Sequence, residues 1–303
     1  MFKLPIDDWI DALVNFLLDN FQGFFDAIAA VVEAVAGGIE GTLLAIPALV
    51  LIAVLTLLGL WRLGTGFAVF TAVALGLILG MGLWKPTMES LALVLASTIL
   101  SLALGVPLGV AMAKSPRIAG PTAAALDFMQ TMPAFVYLIP AVMFFGLGKV
   151  PGTFATVIFA MPPAVRLTAL GIRQVPVEMC EAGRAYGATG SQLLFKVELP
   201  SAMPSIMAGV NQTMMMALSM VVIASMIGAG GLGNTVLSGI QRLDVGLGFT
   251  GGISVVFLAI ILDRLTQSFG GARGRARRKQ AGAPSAFASL RQRLSSRLRP
   301  ATA

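Results

Sequence analysis

Seven stretches of this chain are long, apolar and almost free of charge: 42–61, 66–84, 90–113, 128–148, 150–170, 203–227 and 245–262. About 20 such residues span a hydrocarbon core as a helix, and a helix satisfies all of its backbone groups internally. The pattern predicts an all-α, polytopic membrane helix bundle with about seven transmembrane helices. Composition agrees, with 57% apolar and 12% charged residues against about 45–50% and 25% in soluble domains. Pro162 and Pro163 interrupt the fifth run, and Arg166 lies near its end. That run predicts a broken helix whose arginine snorkels to the membrane interface.

Charge placement predicts the orientation. With the N-terminus outside, the inner side receives 16 Lys and Arg residues: Arg62, Lys114, Arg117, Arg173, Arg184, Lys196, Arg264 and nine between Arg273 and Arg299. The outer side keeps four, Lys3, Lys85, Lys149 and Arg242. This asymmetry predicts N-out, C-in. The formal net charge of +7 is then a topology signal, and nucleic acid is not an expected partner.

The ends differ in character. Residues 1–41 carry seven acids against Lys3, and Ile6, Trp9, Ile10, Leu13, Phe16, Leu17, Phe24 and Ile28 recur at helical spacing. We read an amphipathic acidic helix on the extracytoplasmic surface. Residues 268–303 are rich in Arg, Ala, Ser and Gly, with no acid beyond 267. They read as a basic, disordered cytoplasmic tail. The transmembrane domain lies between, at 42–267.

One polar loop is too patterned to be a linker. Residues 171–202 read GIRQVPVEMCEAGRAYGATGSQLLFKVELPSA. Pro176 can open a helix. Met179, Ala182, Ala185 and Tyr186 form a small apolar stripe, and Gly187 permits a sharp turn. A second helical stretch follows from Gln192, and Pro200 and Pro204 close it. The prediction is two short helices at an angle, a knob that suits a groove on a partner.

The stretch EAGRAYGATGSQLLFKVELPSAMP, at 181–204 within a loop at 178–204, resembles the EAA loop of bacterial ABC importer permeases. Glu181, Ala182, Gly187, Leu199 and Pro200 match that pattern, and Gly183 replaces its second alanine. FAMPPAVRLTALGIRQVP (159–176), MAGVNQTMMMALSMVVIASMIGAGGLG (207–233), GIQRLDVGLGFTGG (239–252) and LAIILDRLTQ (258–267) resemble the glycine betaine/proline permease subfamily. The match covers about 90–267.

The resemblance implies the membrane subunit of an ATP-driven importer in a bacterial inner membrane. It implies a second permease copy, two cytoplasmic ABC ATPase subunits that bind ATP and magnesium, and an extracytoplasmic substrate-binding protein. It implies that Glu181, Ala182, Gly183, Arg184, Gly187, Ala188, Phe195, Leu199 and Pro200 form the ATPase-coupling loop. Glycine betaine, proline or a related compatible solute is the implied cargo. Choline or another small amino-acid-like solute is the alternative, and an ion-coupled secondary transporter a more distant one.

Other chemistry is excluded. There is no histidine and one cysteine, Cys180, so no His general base, disulfide or Cys/His metal site is expected. The nearest imitation of a phosphate-binding loop, GVAMAKS at 109–115, lacks both defining glycines and closes a membrane span. No catalytic residue, cofactor or metal site is expected in the chain itself. Asp127 and Asp263 read as acids flanking spans.

The sixth span carries Asn211, Gln212, Thr213, Ser219 and Ser225. Asn211, Ser219 and Ser225 fall within about 120° of one helical face. Such residues make interhelical hydrogen bonds or line a wet passage. Asn211, Gln212, Ser219 and Ser225 are the candidate pathway residues. GAGGLG (228–233) reads as a re-entrant turn or an external gate. Gly76/Gly80 and Gly105/Gly109 have the spacing of close helix contacts.

Overall fold

The computed structural model describes residues 6–270. Among them the chain is helical, with no strand. In chain order the helices are α1 (Ile6–Ala45), α2 (Ala48–Leu63), α3 (Thr65–Gly80), α4 (Trp84–Lys114), α5 (Pro116–Thr131), α6 (Leu138–Phe145), α7 (Lys149–Arg173), α8 (Val177–Ala185), α9 (Gly190–Leu193), α10 (Leu199–Ser225), α11 (Gly231–Arg242) and α12 (Val245–Phe269). A 3₁₀ turn (Ala134–Tyr137) precedes α6, and a π turn (Leu194–Glu198) joins α9 to α10.

The core is α4, α7 and α10 packed together. Glycine makes the contacts close. A side chain at Gly109 would stand 2.6 Å from the Val165 carbonyl, and one at Gly105 3.0 Å from Ala164 Cβ. Gly209 seats α10 against Leu167, Pro163 and Ala164, and Gly171 receives Ala202 and Ser205. Thus α7 runs antiparallel to α10, with α4 across its other flank. Gly105/Gly109 is the close contact its spacing suggested. Gly76/Gly80 is not, because nothing lies within 4 Å of either position.

By length and apolarity five helical stretches can cross a membrane: 11–45, 84–114, 149–173, 190–225 and 245–269. Helix α5 and the following segment make a sixth if their 108° bend is counted as one broken span. Seven was the sequence reading, and the differences have local causes. Pro47 interrupts the expected 42–61 run near its beginning, so 42–45 complete α1 and 48–63 form α2. At 16 residues each, α2 and α3 are about 24 Å long. Gly64, at φ +95°, turns the chain between them, and Leu75, Ile78, Ile261 and Leu265 cluster α3 with α12.

The expected break at Pro162 and Pro163 is corrected. Helix α7 is continuous, and both prolines are buried within it. Packing against neighbouring helices tolerates such prolines in apolar bundles. The 128–148 run bends instead, at Met132 and Pro133.

Helix α1 departs from helical backbone at Phe21. Its second half lies along α4 and α7. Phe25 stacks on Phe144 with centroids 4.3 Å apart, and Lys149 Nζ reaches the Glu40 carboxylate at 2.5 and 2.7 Å. The basic tail expected at 268–303 lies, from residue 271, outside the described residues.

Candidate functional site: a helical knob, its root and an open helix face

The loop between α7 and α10 folds as a knob. Pro176 opens α8 with φ −54°, ψ 132°. Glu178 in its first turn and Arg184 in its last complement the helix dipole. Gly187, at φ +79°, ends it. The Gly187 N–H donates to the Arg184 carbonyl (2.9 Å) and the Ala188 N–H to the Gly183 carbonyl (3.1 Å). Left-handed backbone at the end of a helix favours glycine. Thr189 then caps α9, with Gln192 completing a reciprocal capping box.

The expected second short helix is not separate. Residues 190–225 form one run through the π turn, so Pro200 and Pro204 do not close it. Pro200 follows closely on the π turn inside that run. The wider π turn before it supplies room for its ring.

Glu181, Ala182, Arg184 and Gly187 are exposed, as are Phe195 and Pro200. Gly183, Ala188 and Leu199 are half-buried. Val177, Met179, Tyr186 and Phe195 leave apolar surface on the knob uncovered, Tyr186 at 92%. The knob is therefore folded by itself but unpartnered over its tip. Gly183 has a packing reason: a side chain there would meet Leu193 Cδ1 at 2.8 Å. Alanine would require the Leu193 side chain of α9 to move aside.

Sequence reasoning missed the root of the knob. Among the described residues, Glu198 is the one buried charged side chain. Its carboxylate pairs with Lys114 at the end of α4, and Cys180 Sγ of α8 stands 4.0 Å from Glu198 Oε1. The other strand of the loop is tied to the same place. Arg173 Nη2 donates to the Met112 carbonyl at 2.7 Å. Both ends of the loop thus grip the last turn of α4. The available signal was an acid inside an apolar stretch, FKVELP (195–200).

The opposite end of α4 is also a polar joint. The Gly231 N–H donates to Glu89 Oε2 (3.0 Å) and the Leu232 N–H to Ser90 Oγ (2.8 Å), filling the N-terminus of α11. Gly228, Gly230 and Gly231 all have positive φ, and the chain turns there from α10 into α11, whose first turn holds Gly231 to Gly233. A side chain at Gly233 would stand 2.2 Å from the Val221 carbonyl.

The candidate pathway residues separate on α10. Gln212 and Ser219 are exposed, Asn211 is half-buried and Ser225 is buried. Ser219 Oγ donates to the Met215 carbonyl (3.0 Å) and Ser225 Oγ to the Val222 carbonyl (2.6 Å). The open stripe runs through Ala208, Gln212, Met215, Ser219 and Met226. Ser225 turns into the core instead. Arg166 does not act alone: it pairs with Asp127 of α5. No group of three or more metal-ligating His, Cys, Asp or Glu occurs among the described residues.

Several apolar helices around an α4–α7–α10 core, with a folded knob between α7 and α10, define the membrane-embedded subunit of a transporter. The chain belongs to the family described as the binding-protein-dependent transport system inner membrane component, whose model matches residues 105–271. It is 51% identical over 268 residues to the glycine betaine/proline betaine transport system permease protein ProW of Escherichia coli, covering 88% of this chain and 75% of that one. It is 47% identical to the glycine betaine transport system permease protein OpuAB of Bacillus subtilis, covering 88% and 94%. The glycine betaine/carnitine transport permease protein GbuB of Listeria monocytogenes is 50% identical, with 88% and 95% covered. Among solved structures, an inward-facing conformation of the MetNI methionine ABC transporter matches with TM-score 0.54 and 25% identity, over 64% of this chain and 95% of that one. The chain is accordingly an ABC transporter permease, a multi-pass protein of the inner membrane.

Proposed function

We propose that the chain is the permease subunit of an ATP-driven importer for glycine betaine or a closely related compatible solute. One observation carries the substrate class: relatives at 47–51% identity over 88% of the chain are all named for glycine betaine. The pathway side chains are consistent with a compact, net-neutral solute.

In this reading the exposed knob, residues 177–198, docks in a groove of a separate ATPase. Glu181, Ala182, Gly183, Arg184, Gly187, Ala188 and Phe195 form the coupling surface, and Leu199 and Pro200 its exit into α10. The uncovered Val177, Met179, Tyr186 and Phe195 supply apolar area for that contact. Closure of the ATPases moves the knob as a unit. The polar ties at Lys114 and Met112 pass that movement into α4, and the packed α4–α7–α10 core responds by rigid rearrangement. ATP and magnesium bind the partner; the chain has no phosphate-binding loop of its own. A substrate-binding protein delivers cargo on the opposite side, and a second permease copy completes the passage. The surplus of Lys and Arg at the knob's end of the bundle puts the knob on the ATPase side.

Reconstitution tests this. Proteoliposomes holding the permease, its ATPase and its binding protein accumulate radiolabelled glycine betaine only with ATP. Equal accumulation without the ATPase overturns the reading. Among candidate solutes, proline betaine and carnitine compete more strongly than methionine.

A further inference from the structure

The Arg166–Asp127 pair has no role in the scheme above, and its position is unusual. Arg166 is seven residues from the loop end of α7, and Asp127 eleven residues into α5. At 1.5 Å per residue that is roughly 10 Å and 16 Å along their helices from the level of Arg173 and Pro116. Both side chains remain open, at 40% for Arg166 and 68% for Asp127. Charged groups on membrane helices face a wet cavity or a protein partner, because lipid offers nothing to replace their hydration.

The faces of α7 specify where this pair lies. Val165 and Thr168 meet α4 at Gly109, and Leu167 and Pro163 meet α10 at Gly209. Met161, Val165 and Ala169 cluster with Leu126 and Met129 of α5. Arg166 occupies the remaining face, between α5 and α10 and away from α4. On α10, Gly209 meets α7 while Met214, Leu218 and Val221 join the cluster with α4, so the open stripe also lies on the side away from α4. Gln212 lies one turn beyond Gly209, and Ser219 two turns further. Phe128, beside Asp127, is 65% exposed, and Phe135 beyond the bend 54%. This side of α5, α7 and α10 therefore presents one anion, one cation and an exposed amide, with the exposed Phe128 ring next to Asp127 in sequence.

We propose that Asp127 and Arg166 form a zwitterion-matching station in the translocation passage, with Gln212 on its facing wall. A quaternary ammonium lies against the Asp127 carboxylate and an aromatic face. The solute carboxylate lies on the Arg166 guanidinium, whose planar fork suits it. Without solute the two side chains close on each other, so the empty station has no net charge to hold a bare inorganic ion. This deepens the importer reading and rests on it for the identity of the cargo.

The test uses charge-selective labelling of the complete permease–ATPase complex in nanodiscs. The background is Cys180→Ser with Gln212→Cys. Three methanethiosulfonate reagents are compared: the cationic ethyltrimethylammonium, the anionic ethylsulfonate and the neutral methyl compound. The trimethylammonium reagent is itself a quaternary ammonium. Relative to the neutral reagent, Asp127→Asn lowers its labelling rate at least threefold. Arg166→Gln lowers the sulfonate rate by a similar factor and raises the trimethylammonium rate. Excess glycine betaine slows labelling in the parent, and Arg166→Gln removes that protection; Arg166→Lys retains part of it.

Rate ratios that stay within twofold in both variants overturn the proposal. So does labelling by the neutral reagent alone, which marks a covered or lipid-facing surface. Loss of the second permease copy in either variant, read by size-exclusion with light scattering, makes the pair a subunit contact and also overturns it. The labelling needs no ATP. Shifted ratios with glycine betaine protection, alongside proteoliposomes in which the permease takes up solute without the ATPase, uphold the station and overturn only the coupling mechanism.

Discussion

The two ends of α4 are held by the same chemistry in opposite settings. Glu89 and Lys114 are 25 residues apart, about 37 Å along the helix. At one end, Glu89 and Ser90 fill the first amides of α11 beside a turn in which glycine leaves no spare volume. At the other, Lys114 and the Met112 carbonyl hold the root of a knob whose tip is open. Glycine shows the contrast most clearly. A side chain at Gly233 or Gly231 would stand 2.2 Å or 2.4 Å from a neighbouring atom, whereas one at Gly187 would meet nothing within 4 Å, so Gly187 is required only by its φ. The first end resists change by packing. The second combines a rigid root with a free surface, which is what a part that must engage a partner needs.

The largest expected effect comes from crowding the packed end. Gly233→Ala drives a methyl into the Val221 carbonyl and costs about 3 kcal/mol or more. The prediction is a steep fall in folded yield and melting temperature, measured by fluorescence-detected size exclusion. Wild-type melting would remove the distinction between the two ends.

Lys114→Met comes next. It leaves the buried Glu198 carboxylate without its ion-pair partner. Because Lys114 is 43% exposed, the loss is discounted to about 1–2 kcal/mol from the 3–5 typical of fully buried pairs. We expect normal ATPase capture but a several-fold lower ratio of solute imported to ATP hydrolysed. Glu198→Gln should behave alike, and Lys114→Arg should restore the ratio. An unchanged ratio would reduce the root to ordinary packing.

Smaller effects should follow at the tip and, at the packed end, at Glu89. Gly187→Ala meets open space but must adopt left-handed backbone, for about 1 kcal/mol. Insertion and melting stay close to wild type while ATPase capture weakens. Glu89→Gln retains an acceptor for the Gly231 N–H and loses only the charge, about 0.5–1 kcal/mol. A melting scan able to resolve one or two degrees decides it.

Much of this was legible in the sequence because hydrocarbon is an exacting solvent. Long uncharged runs identify a helical bundle, and the knob is readable from Pro176, Gly187 and the apolar spacing between them. Gly105/Gly109 and Gly76/Gly80 share one spacing, yet only the first pair meets a neighbour. Spacing gives a helix face and not what lies opposite. Pro162 and Pro163 read as a break because their burial among neighbouring helices, Pro163 against α10, is a tertiary fact. Glu198 looked like an ordinary acid beside Leu-Pro. Its partner is 84 residues away in sequence, and the π turn that sets its direction leaves no clear composition signal. Asp127 looked like a flanking residue for the same reason, since Arg166 is 39 residues distant.

The account turns on the knob as the place where an external ATPase drives the bundle. The most direct measurement is ATP-dependent accumulation of glycine betaine in proteoliposomes, with bound ATPase quantified in the same samples, for wild type and Glu181→Arg. The account predicts accumulation by the wild type only when the ATPase and ATP are present, and at least tenfold less bound ATPase and uptake for the variant at unchanged insertion. Wild-type accumulation without the ATPase, or full capture and uptake by Glu181→Arg, would contradict it.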